Sequence, residues 1–203
     1  MIGIVNYGMG NIRSVANAVY EQGFDPLLIN HADDFSKATH VILPGVGHFK
    51  KAMANLEQLA LLTPLKQAVL TDKKPLLGIC LGMQLLLSHS EEGDCAGLDL
   101  IAGDVRLFRD PKFRVPHVGW NNLNGVVEHP VLLGIPAMAD FYFVHSYYAS
   151  TDSQHTLAQC EYDRNFSAIV GVNNIIGMQF HPEKSQKNGL LLIENFCNWD
   201  GLC

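Results

Sequence analysis

The sequence has no long hydrophobic run, no basic bias and no paired cysteines, and each absence removes a class of function. Its longest apolar stretch falls short of the roughly 20 residues that a bilayer-spanning helix needs. The opening MIGIVNYGMGN has neither a charged leader region nor a small-residue cleavage site. The expectation is a cytoplasmic protein. A formal net charge of −6 argues against nucleic acid or an anionic membrane as partner, because both reward clustered Lys and Arg. Cys80, Cys95, Cys160, Cys197 and Cys203 are odd in number and scattered, without a Cys-x-x-Cys pair. That excludes a disulfide framework and a thiolate zinc site, and it implies free thiols. The glycine loop YGMGN has Arg13 where the third glycine of Gly-x-Gly-x-x-Gly belongs, so it reads as a tight strand-to-helix turn and not as a nucleotide cradle. No metal and no cofactor is expected. No linker, repeat or low-complexity segment interrupts residues 1–203, which read as one domain.

What is present is an alternation of apolar runs and amphipathic stretches over the first ninety residues, the pattern of an α/β protein with a mainly parallel central sheet between helical layers. Strands are expected at Ile2 to Val5, Pro26 to Ile29, His40 to Leu43 and Pro75 to Cys80. A helix capped by Asn11 carries Ile12, Val15, Ala16, Val19 and Tyr20 on one face and ends at Gly23. A second helix presents Phe49, Met53, Leu56 and Ala60, and a third starts near Thr63-Pro64. From about residue 98 successive strand-like segments follow: Leu100 to Phe108, Asp140 to Tyr148, Leu157 to Glu161, Ala168 to Val172 and Ile175 to Phe180. The short link Val172-Asn173-Asn174-Ile175 suggests a hairpin and an antiparallel extension of the sheet. A last helix spans about Gln186 to Trp199.

Three segments carry chemistry. Gly78-Ile79-Cys80-Leu81-Gly82 ends the fourth strand, where ligands gather in an open parallel sheet. Its Gly-x-Cys-x-Gly form is the thiol version of a nucleophile elbow, and the Leu81 N–H that follows is placed to meet an oxyanion. Cys80 by itself is equally readable as a small apolar residue in a core. Gln179-Phe180-His181-Pro182-Glu183 supplies a base and an orienting carboxylate. In extended chain, residues two apart share a face, so Glu183 can hold one imidazole nitrogen while the other meets a thiol. Leu43-Pro44-Gly45-Val46-Gly47 is a third strand end, whose glycines let a backbone N–H turn toward an anion.

LPGVG, GICLGMQLLL, PHVGWN, FVHSYY and GMQFHPEKS, in this order and spacing over essentially the whole chain, resemble the class I (triad) glutamine amidotransferases. Within that family they are most similar to glutaminase subunits of imidazole glycerol phosphate synthase in histidine biosynthesis. The resemblance implies a flavodoxin-like three-layer fold. It makes Cys80 the nucleophile on glutamine, His181 the proton carrier and Glu183 its orienter, with oxyanion donors at Leu81 and, after a backbone rearrangement, Val46. Gly45, Gly47, Gln84, Glu92, Ser146 and Tyr147 become contacts for glutamine. It further implies a separate (β/α)8-barrel cyclase partner that receives ammonia through an internal channel to form imidazole glycerol phosphate and AICAR. Asn11, Trp120, Asn121 and Lys184 are the candidate interface residues.

Each binding assignment has a structural alternative: Glu92 a solvated loop acid, Tyr147 and Trp120 core aromatics. At the level of function, the same subunit type also serves other ammonia acceptors, for instance in surface-sugar amidation. A thiol redox or stress protein on a related fold would not require His181 and Glu183, and a non-catalytic binding module would not require the triad.

Overall fold

The computed structural model describes residues 1–202; Cys203, expected to be a free thiol, lies outside them. The chain begins as read. β1 (Ile2–Val5) leads into α1 (Ile12–Glu21), then β2 (Pro26–Ile29), β3 (His40–Gly45), α2 (Phe49–Gln58), α3 (Leu62–Lys66), β4 (Leu76–Cys80) and α4 (Leu81–Leu85). β2, β1, β3 and β4 lie side by side in parallel. Their side chains alternate between two cores, as a strand buried on both faces requires. Ile2, Ile4, Ile42, Leu77 and Ile79 meet Val15, Val19, Leu192 and Phe196 of the helices on one face. Val5, Val41, Leu43 and Leu76 meet Phe49, Ala52, Leu56 and Leu65 on the other.

The second half widens the sheet. β5 (Leu87–Ser90), β6 (Cys95–Ala96), β7 (Ile101–Leu107), β8 (His117–Asn122), β9 (Asp140–His145), β10 (Tyr147–Ser150), β11 (Thr156–Glu161), β12 (Asn165–Val172) and β13 (Ile175–Met178) precede α5 (Gln186–Asn198). β13 inserts in parallel beside β4 and turns back on β12 through the expected hairpin, with Asn173 at φ 50°. β12, β10 and β7 continue antiparallel, while β7 and β5 pair in parallel. β8 and β9 form a separate antiparallel ribbon.

Several expectations need correction. Ala60 lies beyond α2, exposed and at φ 55°, so the helix face is Phe49, Ala52 and Leu56 with Met53 packed beside them. Asn11 holds the cap position of α1, but its side chain makes no capping bond. α4 is short and Leu87 already opens β5; Leu85, Leu86 and Leu87 are all fully buried. The run Asp140 to Tyr148 is two strands, divided by a bend at Ser146, because β9 pairs with β8 and β10 pairs with β7. His181 and Glu183 do not share an extended strand: Pro182–Lys184 forms a 3-10 turn.

Candidate active site

The site begins with a packing constraint. A methyl group on Gly82 would collide with the Leu43 carbonyl, and one on Gly45 would lie 2.7 Å from the Gly82 nitrogen and 2.8 Å from Leu81 Cβ. Glycine at both positions lets α4 press against the ends of β3 and β4. The turn between them forces Cys80 to φ 53°, ψ −108°, a conformation that disfavours a side-chain-bearing residue by about 1–3 kcal/mol. The neighbouring close contacts hold it there and project the thiol out of the sheet. Tyr7, fully buried, donates from its hydroxyl to the Pro44 carbonyl at 2.8 Å and ties the adjoining loop down. Burial, then the nearby Cys80 charge, raises the Tyr7 pKa, so the phenol keeps its donor proton.

Cys80 lines a cavity of about 330 Å³ with Val46, Gly47, Leu81, Gln84, Glu92, Pro116, Val144, His145, Ser146, Tyr147 and His181. Residues from six separate stretches of sequence therefore meet at the strand ends, where an open α/β sheet holds its ligands. Gly45 is the exception among the expected contacts: it lies beneath Leu81 and Gly82 and shapes the elbow. Gly47, at φ 106°, does line the cavity.

His181 and Glu183 are joined by a 2.9 Å bond from imidazole Nδ1 to Oε1, with both side chains almost entirely buried. Burial alone lowers the His181 pKa; the neighbouring Cys80 and Glu183 outweigh it and raise the pKa to about 10. Nε2, on the Cys80 side, has no well-aligned hydrogen-bond partner, so the thiol acts on it by proximity rather than through a formed bond. The turn is anchored to β9. The His181 N–H donates to the Tyr142 carbonyl at 2.9 Å, and Ser185 Oγ donates to the His181 carbonyl while accepting from the Tyr142 N–H.

Glu92 is not a free loop acid. Its Oε2 accepts from the Phe49 N–H at 2.7 Å, which caps α2 and fixes the carboxylate at the cavity wall. Gln84 spends both amide protons on protein groups, the Tyr147 carbonyl at 3.0 Å and Gln179 Oε1 at 3.1 Å. Its own Oε1 remains as an acceptor. Gln179, quoted in the sequence motif without a role, is fully buried, and its Nε2 lies 3.9 Å from Cys80 Sγ.

Sequence reasoning passed over a second pair of histidines. His117 Nδ1 and His145 Nε2 are 3.0 Å apart, and His145 Nδ1 lies 2.8 Å from the Tyr147 carbonyl. Since a carbonyl only accepts, Nδ1 of His145 carries its proton, and the proton between the rings belongs to His117. Burial lowers the pKa of His117 to about 4 and, against the raising effect of the Tyr147 carbonyl, that of His145 to about 3. Both rings are neutral at neutral pH. PHVGWN and FVHSYY each show one histidine, with nothing local to say that the two meet.

Outside the cavity, Trp120 is 48% exposed on β8, which removes the core-tryptophan reading. It meets Tyr142 edge to face at 5.9 Å, and exposed Lys184 sits 6.0 Å above the same Tyr142 ring. Asn121 donates to the Glu161 carbonyl at 2.9 Å, so part of its amide is already engaged within the chain. Asn11 is half-buried at the start of α1. Cys80, Cys95, Cys160 and Cys197 are unpaired thiols. Among the described residues no His, Cys, Asp and Glu cluster suits a metal ion, and no helix is long and apolar enough to cross a membrane.

An elbow cysteine, a carboxylate-held histidine and a cavity at parallel strand ends are the features of a triad amidotransferase. The chain belongs to the class-I glutamine amidotransferase family, whose model matches residues 3–198. Within it, the chain is 46% identical over 198 residues to the imidazole glycerol phosphate synthase subunit HisH 2 of Methanococcus maripaludis, covering 97% of this chain and 98% of that protein. The HisH 1 subunit of Campylobacter jejuni is 44% identical with the same coverage. A crystal structure of a glutamine amidotransferase superposes with a TM-score of 0.73 at 15% identity, covering 97% of this chain and 98% of the other, which supports the fold.

Proposed function

We propose that this chain is the glutaminase subunit of an imidazole glycerol phosphate synthase, releasing ammonia from L-glutamine for a cyclase partner in histidine biosynthesis in the cytoplasm. The observation that carries the reading is the buried His181–Glu183 pair beside Cys80, with Nε2 left without a bonded partner at a cavity of about 330 Å³. A histidine held positive in this way stabilises a neighbouring thiolate, the reactive form of cysteine.

The thiolate of Cys80 attacks the side-chain carboxamide carbon of glutamine, forming a C–S bond as the carbonyl π electrons move to oxygen. The Leu81 N–H, at the start of α4, is positioned to take that oxyanion, with the Val46 N–H as second donor once the Gly45 to Gly47 segment turns. His181 gives its proton to the departing nitrogen, and ammonia leaves a glutamyl thioester. Water then loses a proton to His181 and attacks the thioester carbon; the C–S bond breaks, glutamate departs and Cys80 is restored. Glu183 keeps His181 in the orientation both transfers need. Glu92 meets the α-amino group of glutamine, the Gln84 Oε1 accepts from substrate, and Ser146 with Tyr147 receives the carboxylate end.

The partner is a (β/α)8-barrel cyclase forming a heterodimer across the face bearing Asn11, Trp120, Asn121 and Lys184, so that ammonia passes through a channel and is not protonated in bulk water. Val46 is 42% exposed beside the cavity, and Gly47 gives the segment a left-handed pivot. Both features support a loop that completes the oxyanion hole only when the partner is loaded. The test measures glutamate release by the chain alone, with the cyclase subunit, and with that subunit plus its nucleotide substrate. Release should be low alone and rise stepwise. Full turnover by the isolated chain, unchanged by partner and nucleotide, contradicts the activation; no turnover in any mixture contradicts the function.

A further inference from the structure

The buried pair His117–His145 has no part in the proton transfers above, yet His145 lines the same cavity and His117 is bonded behind it. Its rings could be replaced by apolar ones as far as packing is concerned. His117 lies against Tyr162 at 4.0 Å and 20° and against Phe143 at 5.0 Å and 23°, the surroundings of a phenylalanine. Burying two imidazoles there is favourable only if their nitrogens are bonded, and the bonds form one continuous series. Asn121 Nδ2 lies 3.5 Å from His117 Nε2, and the donation of His117 to His145 and of His145 to the Tyr147 carbonyl follows. That carbonyl also accepts from Gln84, and Gln84 donates in turn to Gln179, whose amide reaches the Cys80 sulfur. With two donors on its oxygen the Tyr147 carbonyl has its direction fixed, and so has the Tyr147–Tyr148 peptide to which it belongs.

We propose that His117 and His145 are positioning residues for the glutamine site, carrying the placement of the β8–β9 ribbon into the Ser146–Tyr147 segment and Gln84 and thereby setting glutamine affinity. The inference rests on the glutaminase reading of the cavity. The ribbon is the right sender: His117 and the exposed Trp120 share β8, His145 ends β9, and β9 holds the triad turn through Tyr142. A shift of the ribbon under a partner's load would be felt at both ends of the substrate.

The test compares His117→Phe, which keeps the ring stack and loses the donor, with His117→Asn, whose amide nitrogen takes the place of Nδ1 and restores an N–H toward His145 Nε2. Cys80 alkylation is followed in the complex with two probes, the diazoketone analogue of L-glutamine and iodoacetamide, which needs no glutamine site. For His117→Phe, the concentration of analogue giving half-maximal labelling should rise about tenfold, the scale of one lost buried hydrogen bond. The maximal rate and the iodoacetamide rate should stay within about twofold, and His117→Asn should recover most of the affinity. Unchanged analogue affinity in a folded His117→Phe protein overturns the proposal, as does an equal loss with both probes. Failure of the analogue to label the unmutated complex overturns the glutaminase reading instead. If His117→Phe does not fold, imidazole nitrogen NMR of the Cys80→Ala protein decides: glutamine must shift the His117 and His145 signals, and no shift overturns the relay.

Discussion

Two buried histidine pairs lie beside one cavity, and their protons behave oppositely. His181, bonded to Glu183 and next to Cys80, is raised to about 10 although burial lowers it. His145, bonded to His117 and to a backbone carbonyl, falls to about 3. Burial acts in the same direction on both, so burial does not distinguish them; the partner does. A carboxylate and a thiol compensate a positive ring, whereas a second imidazole and an amide carbonyl do not. The first pair can therefore shuttle a proton, and the second can only hold a geometry.

The largest effect that sharpens this contrast comes from removing the nucleophile. Cys80→Ala should lower glutamine hydrolysis by more than about a thousandfold, with partner binding measured by titration nearly unchanged. Next is Glu183→Gln, which keeps the bond to His181 Nδ1 open to either tautomer and withdraws the negative charge. Its steady-state glutaminase rate should fall by on the order of a hundredfold or more. A rate near the parent's would mean that the charge of the pair is irrelevant.

A smaller effect separates the pairs by pH. The unfolded chain protonates histidine near 6.5, but His117 and His145 in the fold accept protons only near 4 and 3. Between those values the unfolded state binds more protons, so stability is full above about pH 6.5 and falls as pH drops through this window. For His181 the sign reverses: its contribution is present below the unfolded value and is lost as pH rises toward about 10. Thermal unfolding from pH 7 down to pH 4 should show Tm falling, less steeply in His117→Phe; an unaltered slope in that variant would break the contrast. The smallest change concerns the surface. Trp120→Ala should weaken partner association by about tenfold while leaving iodoacetamide labelling of Cys80 unchanged, as read by calorimetric titration and labelling rate.

The half of the molecule that builds the elbow was legible because its signals are local. β1 and β2 occur at the expected residues, and β3 and β4 differ by one or two at an end, since apolar strands and an amphipathic helix declare their period over a few residues. Cys80, His181 and Glu183 were legible as candidates for another reason: an elbow cysteine and a His-x-Glu segment, each ambiguous alone, point to one chemistry when one chain holds both. The ribbon was not. HVGWNN in β8 alternates in the inverted sense, with Val118 and Trp120 exposed and His117 buried, and its partner strand begins only at Asp140. The break at Ser146 is invisible in a run that stays extended on either side, because it reflects which sheet each half joins. His117 and His145 were missed for the same reason. A lone histidine in a strand acquires meaning only when its neighbour in space is known, and that neighbour is 28 residues away. The first glycine of PGVG carries a constraint the motif does not show locally, the close approach of Gly82 and Leu81 to Gly45.

The central claim is that Cys80, activated by the charged pair, carries the glutamyl group. The most direct measurement is acid quenching of the complex during glutamine turnover, followed by mass analysis of the peptide containing Cys80. The account predicts a glutamyl adduct on that cysteine, absent in Cys80→Ala and diminished in Glu183→Gln. Sustained glutamate release by Cys80→Ala, or an adduct on another residue, would contradict it.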